Sequence, residues 1–188
     1  MADNQLILHP LDSTASLHSK RDLLYRLEQI GFISTPLMLE GQQHYRPGDN
    51  FLQLLTFLGC SPVVALGEPG ATGDEFCHLQ LDGPYEQPRF VGGSNVKSPR
   101  CPGCGFRAEN WQELVALWQA TPEQRWRCPL CGKEYHVPQL RWRQCAGFGR
   151  FFLRIWGVFE GEAVPSEELF RVLREVSGFD WQYFYFRR

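Results

Sequence analysis

The chain has 188 residues, 43% of them hydrophobic and 14% aromatic, and a formal net charge of −2. That is enough apolar material for one ordinary domain or two small ones, and it argues against a disordered chain. No run approaches the about 18 consecutive apolar residues of a membrane span, so no membrane partner is expected. The cysteines number seven, an odd count, and four of them sit in two short repeats. They do not read as a disulfide framework, and a reducing, cytoplasmic setting is the expectation. Residues 1–5 lack the positive region of a signal peptide, and no apolar run of that type follows.

Taken in order, residues 1–18 read as an irregular arm. Ser19 is placed to cap a helix, with Asp22 three positions on, and Leu23, Leu24, Leu27 and Ile30 follow at helical spacing up to Gly31. This predicts a helix over 20–30. Pro36, Gly41, Pro47 and Gly48 then mark a loop-rich connection. Residues 51–58 are apolar nearly all round and lie between Asp49 and Gly59, which predicts a second, buried helix. Residues 63–66 read as a short strand. The glycine-rich stretch 67–74 is followed by alternating Cys77, Leu79 and Leu81, a strand pattern over 76–82. A phosphate loop needs a helix N-terminus there, so the glycines read as a loop between strands. Cys60, Cys77 and Cys145 have no second ligand at knuckle spacing and read as core cysteines. His9, His18 and His44 fall in predicted loops.

The centre of the chain carries its strongest signal. Cys101-Pro102-Gly103-Cys104-Gly105 and Cys128-Pro129-Leu130-Cys131-Gly132 are near-identical units. Each puts two sulfurs on one tight turn, and the glycine after the second Cys permits a positive φ that turns backbone amides toward the thiolates. Four thiolates so gathered make a tetrahedral site suited to zinc, or less often to a single iron. Between them Trp111, Leu114, Val115 and Trp118 fall at i, i+3, i+4 and i+7, a helix over 108–119 ended before Pro122. Strands are expected at 125–127 and 133–137.

With its two knuckles and the strand leaving the second, this region resembles the zinc-ribbon family and, more distantly, rubredoxin. The resemblance implies one metal ion held by Cys101, Cys104, Cys128 and Cys131, with zinc preferred. A site with four protein sulfurs leaves no position for water or substrate, so its role is structural. His136 is surplus to a complete ligand set.

After a turn at 147–149, residues 151–159 form an apolar strand. Pro165, Ser166, Glu167 and Glu168 start a helix whose buried face is Leu169, Phe170, Val172, Leu173 and Val176, and Gly178 closes it. Residues 181–186 are a last strand, and a crossover of this length allows a parallel pair. The expected fold class is α+β: a helical and strand-bearing N-terminal part (1–96), a four-cysteine zinc ribbon with a helical insert (97–145) and a C-terminal strand-helix-strand (146–188) packed with the first part.

Charge is uneven. Residues 97–155 carry +6 and the remainder −8. Arg125-Trp126-Arg127 and Arg141-Trp142-Arg143 combine cations with flat rings, as single-stranded nucleic-acid binders do. In a strand, however, a Trp faces away from its arginine neighbours, which allows a buried ring behind solvated cations. No HExxH, GxSxG or Walker pattern occurs. The sequence therefore reads as a zinc-binding, non-catalytic binding or regulatory protein whose basic ribbon face meets a protein partner or nucleic acid. An enzyme with a structural zinc and a rubredoxin-like iron protein are the alternatives. No small-molecule substrate is identifiable.

Overall fold

A computed structural model describes residues 4–59, 64–66 and 76–188. The first half contains β1 (Asn4–Pro10), α1 (Lys20–Gln29), β2 (Ile33–Leu39), β3 (Gln42–Pro47), β4 (Leu55–Phe57), β5 (Leu79–Asp82) and β6 (Arg89–Gly92). The second half contains α2 (Trp111–Ala120), β7 (Arg125–Arg127), β8 (Glu134–His136), β9 (Ala146–Gly149), β10 (Phe152–Trp156), β11 (Ala163–Pro165), α3 (Glu167–Ser177) and β12 (Trp181–Arg187). The described chain is thus mixed α/β, mostly strands with three α-helices.

The expected helices at 20–30, 108–119 and after Pro165 are present, and their ends follow the local chemistry. The Ser19 hydroxyl accepts from the Asp22 amide at 3.1 Å, and the Ser166 hydroxyl accepts from the Leu169 amide at 3.2 Å. Gly31 and Gly178, at φ of 70° and 82°, take the left-handed turns that stop α1 and α3.

Six strands form one antiparallel sheet in the order β12-β1-β10-β5-β3-β2. The supposed N-terminal arm is therefore one of its central strands. Cross-strand partners share a face. Leu6 sits opposite Ile155 and Tyr185, Leu8 opposite Leu153 and Tyr183, and Leu153 opposite Leu81. That face meets Leu23 and Leu27 of α1, Leu169 and Leu173 of α3, and Phe32 and Phe51, all fully or almost fully buried. The opposite face carries Ile7, Phe152 and Phe184 together with a polar group in which Arg154 pairs with Asp82 at 2.8 Å.

Further expectations are corrected. Residues 51–58 form a 3-10 turn at Phe51–Gln53 and then β4, which pairs with β11, so no second buried helix exists there. An eight-residue apolar run is too short to hold a helix against a strand partner that buries the same side chains. The loop-rich connection is the hairpin β2–β3, turned by Glu40 and Gly41 at positive φ. The turn at 147–149 is strand β9, paired with β6. The strand at 151–159 and the last strand do not form a parallel pair: β10 and β12 both run antiparallel to β1, which lies between them, and β11 intervenes before α3. The expected strand at 76–82 begins only at Leu79, and residues 64–66 form none. The glycine-rich stretch, Val63 and Cys60 lie outside the described residues.

The segment between β6 and β9 packs around a smaller cluster of Val115, Trp118, Val137, Leu140, Trp142, Ala146 and Phe148. It is bound to the backbone of edge strand β12: the Tyr185 amide donates to Gln144, and the Tyr185 and Arg187 carbonyls accept from Asn95 Nδ2 and the Ser94 amide at 2.9 and 2.7 Å. These contacts cover an edge that would otherwise expose unpaired groups.

Candidate metal centre

The two Cys-Pro-x-Cys-Gly units fold in the same way because they carry the same instructions. The Cys101 amide donates to Phe106 C=O at 2.8 Å and the Gly105 amide to Cys101 C=O at 2.9 Å. In the second unit the Cys128 amide donates to Lys133 C=O and the Gly132 amide to Cys128 C=O, both at 2.9 Å. Gly105 and Gly132 have φ of 78° and 69°, where a side chain would be strained. A short ladder of β7 with β8 fixes the second knuckle: Trp126 lies opposite Tyr135 and Arg127 opposite Glu134. The first knuckle is fixed by the exchange of hydrogen bonds between Arg100 and Arg141.

The result brings Cys101, Cys104, Cys128 and Cys131 together, with all four sulfurs within 4.8 Å of one another. Cys101 Sγ lies 3.7 Å from Cys131 Sγ, and Cys104 Sγ lies 3.5 Å from Cys128 Sγ. Both contacts are far beyond a disulfide bond of about 2.05 Å. They are close to the edge, about 3.8 Å, of a tetrahedron whose centre is about 2.3 Å from each sulfur. Cys101 and Cys128 are buried and Cys104 is exposed, so the site lies at the rim of the fold.

Electrostatics point the same way. Desolvation acts to raise the Cys101 pKa, but the amides of Cys104 and Gly103 and the neighbouring thiols hold it at about 7. At Cys104 the Phe106 amide favours the thiolate, yet desolvation and the thiols of Cys128, Cys131 and Cys101 push the pKa up to about 12. The clustered thiols oppose one another's ionisation, as expected when several would-be anions share one site. A divalent ion at the centre removes that conflict. The residues fit such an ion: the donor set is sulfur only, suited to zinc or iron.

The surrounding side chains complete the site. Arg141 donates from Nη2 to Pro102 C=O at 2.8 Å, and the Arg127 guanidinium reaches within 3.8 Å of where a Cβ on Gly132 would stand. One cation thus stands beside each knuckle, opposing the negative charge of a metal tetrathiolate. Tyr135 closes over Gly103, where a Cβ would meet its Oη at 2.7 Å. Its pKa is raised by desolvation and then by Cys101 and Cys131.

The six residues of the basic aromatic face are placed unequally. Arg125, Arg127, Arg141 and Arg143 are exposed and Trp126 is half-buried. Trp142 is 6% exposed, and its indole N–H donates to Val137 C=O at 3.0 Å. Its ring meets Phe90, Trp111 and Phe148 and offers no open face. The reading of Trp142 as a surface contact is corrected: it turns inward from its arginine neighbours.

Cys77 and Cys145 are buried single cysteines. His9 and His44, expected in loops, are buried in β1 and β3. The His9 and His44 pKa values are each lowered to about 4, first of all by burial. No helix among the described residues is long and apolar enough to cross a membrane. No protein-family model matches this chain, and neither the curated proteins nor the solved structures contain a significant match to it.

Proposed function

We propose that this is a zinc-binding, non-catalytic binding protein in which one zinc ion, held by Cys101, Cys104, Cys128 and Cys131, is a structural staple. The staple fixes a ribbon whose exposed arginines, Arg125, Arg127, Arg141 and Arg143, meet an acidic protein surface. The observation that carries this reading is the sulfur geometry: contacts of 3.5 and 3.7 Å suit a closed tetrahedral ion with no vacancy for substrate.

A protein partner is favoured over single-stranded nucleic acid by the placement of the tryptophans. Stacking on bases needs open rings, and Trp142 is enclosed while Trp126 is half-buried against the ribbon cluster. What remains outside is cationic and planar, the chemistry that pairs with carboxylates through bidentate contacts.

The test uses the zinc-loaded chain as bait, beside a variant with the four arginines changed to Gln. The expected result is capture of a defined protein that resists nuclease, is released by salt and is lost in the variant. Labelled single- and double-stranded oligonucleotides should bind no tighter than about 100 μM at physiological salt. Micromolar oligonucleotide binding that weakens steeply with salt and needs the four arginines would replace this reading with a nucleic-acid one.

A further inference from the structure

The turn that leaves the metal centre has an uncommon backbone. Arg143 and Gln144 take φ of 52° and 57°, and the Cys145 amide donates to Trp142 C=O at 3.3 Å. Residues 142–145 therefore form a hairpin-type turn with both central positions left-handed, which favours Asn and Gly. Arg and Gln there carry strain, and strain of this kind persists only when the surroundings enforce it. They do: Gln144 C=O accepts the Tyr185 amide at 3.0 Å, and the Cys145 thiol donates to Trp142 C=O at 2.7 Å while accepting the Lys97 amide at 3.3 Å.

The strained turn lines a cavity of about 300 Å³ together with Gln182, His9, Gly147 and Arg141 among others, with no Asp or Glu in its wall. Arg141 spends a guanidinium N–H on Pro102. Arg143 is exposed and has no ion-pair or hydrogen-bond partner among the described residues. His9 donates from Nδ1 to Phe148 C=O at 2.9 Å, so its Nε2 carries the lone pair and acts as an acceptor. Position 147 has no room for a side chain, since a Cβ there would stand 2.3 Å from Phe184 Cε1 and 2.7 Å from that Nε2, so glycine lets β9 pack against the histidine that borders the cavity.

The wall thus offers a free guanidinium, two side-chain amides and one acceptor. A phosphate monoanion, with several acceptor oxygens and one O–H, matches that set. Sulfate and carboxylate have no proton for His9. The adjoining cleft of about 690 Å³ shares Pro138, Leu140 and Gln182 with this cavity and carries Asp12, Glu123 and Asp180. A polyanion running out of the cavity would meet those carboxylates, which restricts the ligand to one with a single anionic group.

We propose that this cavity binds a small molecule bearing one phosphate group, gripped by Arg143 with Gln144 and Gln182, and with its O–H donated to His9 Nε2. The site shares arginines with the protein-binding face but does not rest on that reading.

The test is calorimetric titration of the zinc-loaded full chain with inorganic phosphate at constant ionic strength, with sulfate and acetate as competing probes. The expected result is one site with Kd of about 1 mM or tighter, favouring phosphate over sulfate and acetate by about fivefold or more. Arg143→Gln should weaken phosphate at least about tenfold. Arg125→Gln with Arg127→Gln should leave phosphate binding intact while weakening protein capture, so the two readings fail separately. Arg143→Gly keeps the left-handed turn without a side chain, and should lose phosphate with no fall in melting temperature. Absence of phosphate binding, equal binding of sulfate, or unchanged binding in Arg143→Gln would overturn the proposal.

Discussion

The six-stranded sheet and the cysteine ribbon achieve order by different means. In the sheet, side chains from β1, β5, β10 and β12 meet α1 and α3 in a cluster of 21 buried residues. The ribbon's cluster holds seven, among them Trp118, Trp142 and Phe148. A core that small rarely sustains a fold without a staple, whereas the larger one needs none. Each part is vulnerable in its own way: the ribbon to loss of the proposed ion, the sheet to cavities and to buried charge.

The sharpest break between the two regions is removal of the metal. Chelation, or Cys104→Ser or Cys131→Ser, should unfold the ribbon, because the binding energy of the ion is also its folding energy. Four of the six tryptophans, Trp111, Trp118, Trp126 and Trp142, lie in this segment. Near-ultraviolet dichroism should therefore collapse while the far-ultraviolet signal of the sheet persists. An unchanged melting curve with full metal in either mutant would refute the four-sulfur assignment.

The converse change addresses the sheet. Leu153 is 1% exposed and sits against Leu8 and Leu81. Leu153→Ala should cost about 2–5 kcal/mol in chemical denaturation and leave the metal content unchanged.

Acid should divide the regions again. The His9 pKa falls from 6.5 in the unfolded chain to about 4 in the fold. The unfolded state therefore binds the extra proton first. The resulting stability, about 3 kcal/mol, is complete above pH 6.5 and is lost as pH falls toward 4. Denaturant unfolding of the sheet, followed by far-ultraviolet dichroism, should show a slope in this window that His9→Gln reduces. A slope unchanged by that substitution would exclude His9 as its source.

The smallest effect is expected on the outer face of α3. Arg171 pairs there with Glu168 and Glu175, and all three side chains are about half exposed. Arg171→Ala should leave the melting temperature essentially unchanged. A fall of several degrees would show that the exposed pairs matter more than solvent screening allows.

What was legible in the sequence was local. The cysteine knuckles, the caps at Ser19 and Ser166, and the helical spacing of Trp111, Leu114, Val115 and Trp118 each depend on neighbours a few residues away. What was illegible depended on partners far along the chain. β1 is buried on both faces at almost every position, so Leu6-Ile7-Leu8 shows no alternation, and its partners begin more than 140 residues later. β4 reads as apolar helix material until β11 pairs with it. The hairpin β2–β3 is mostly half-buried or exposed, so its strands lack an apolar stripe, and Pro36 reads as a breaker. At the candidate metal centre the four cysteines that come together could be read directly. The inward turn of Trp142 and the left-handed Arg143 and Gln144 could not, because contacts with Phe90, Phe148 and Tyr185 impose them.

The central proposal is that Cys101, Cys104, Cys128 and Cys131 hold one closed metal ion. X-ray absorption at the zinc edge of the purified chain, with metal content measured on the same sample, tests it most directly. One zinc per chain with four sulfur neighbours at about 2.3 Å and no light-atom neighbour in that shell is the expected result. A nitrogen or oxygen ligand, stoichiometric iron or a metal-free folded ribbon would contradict it.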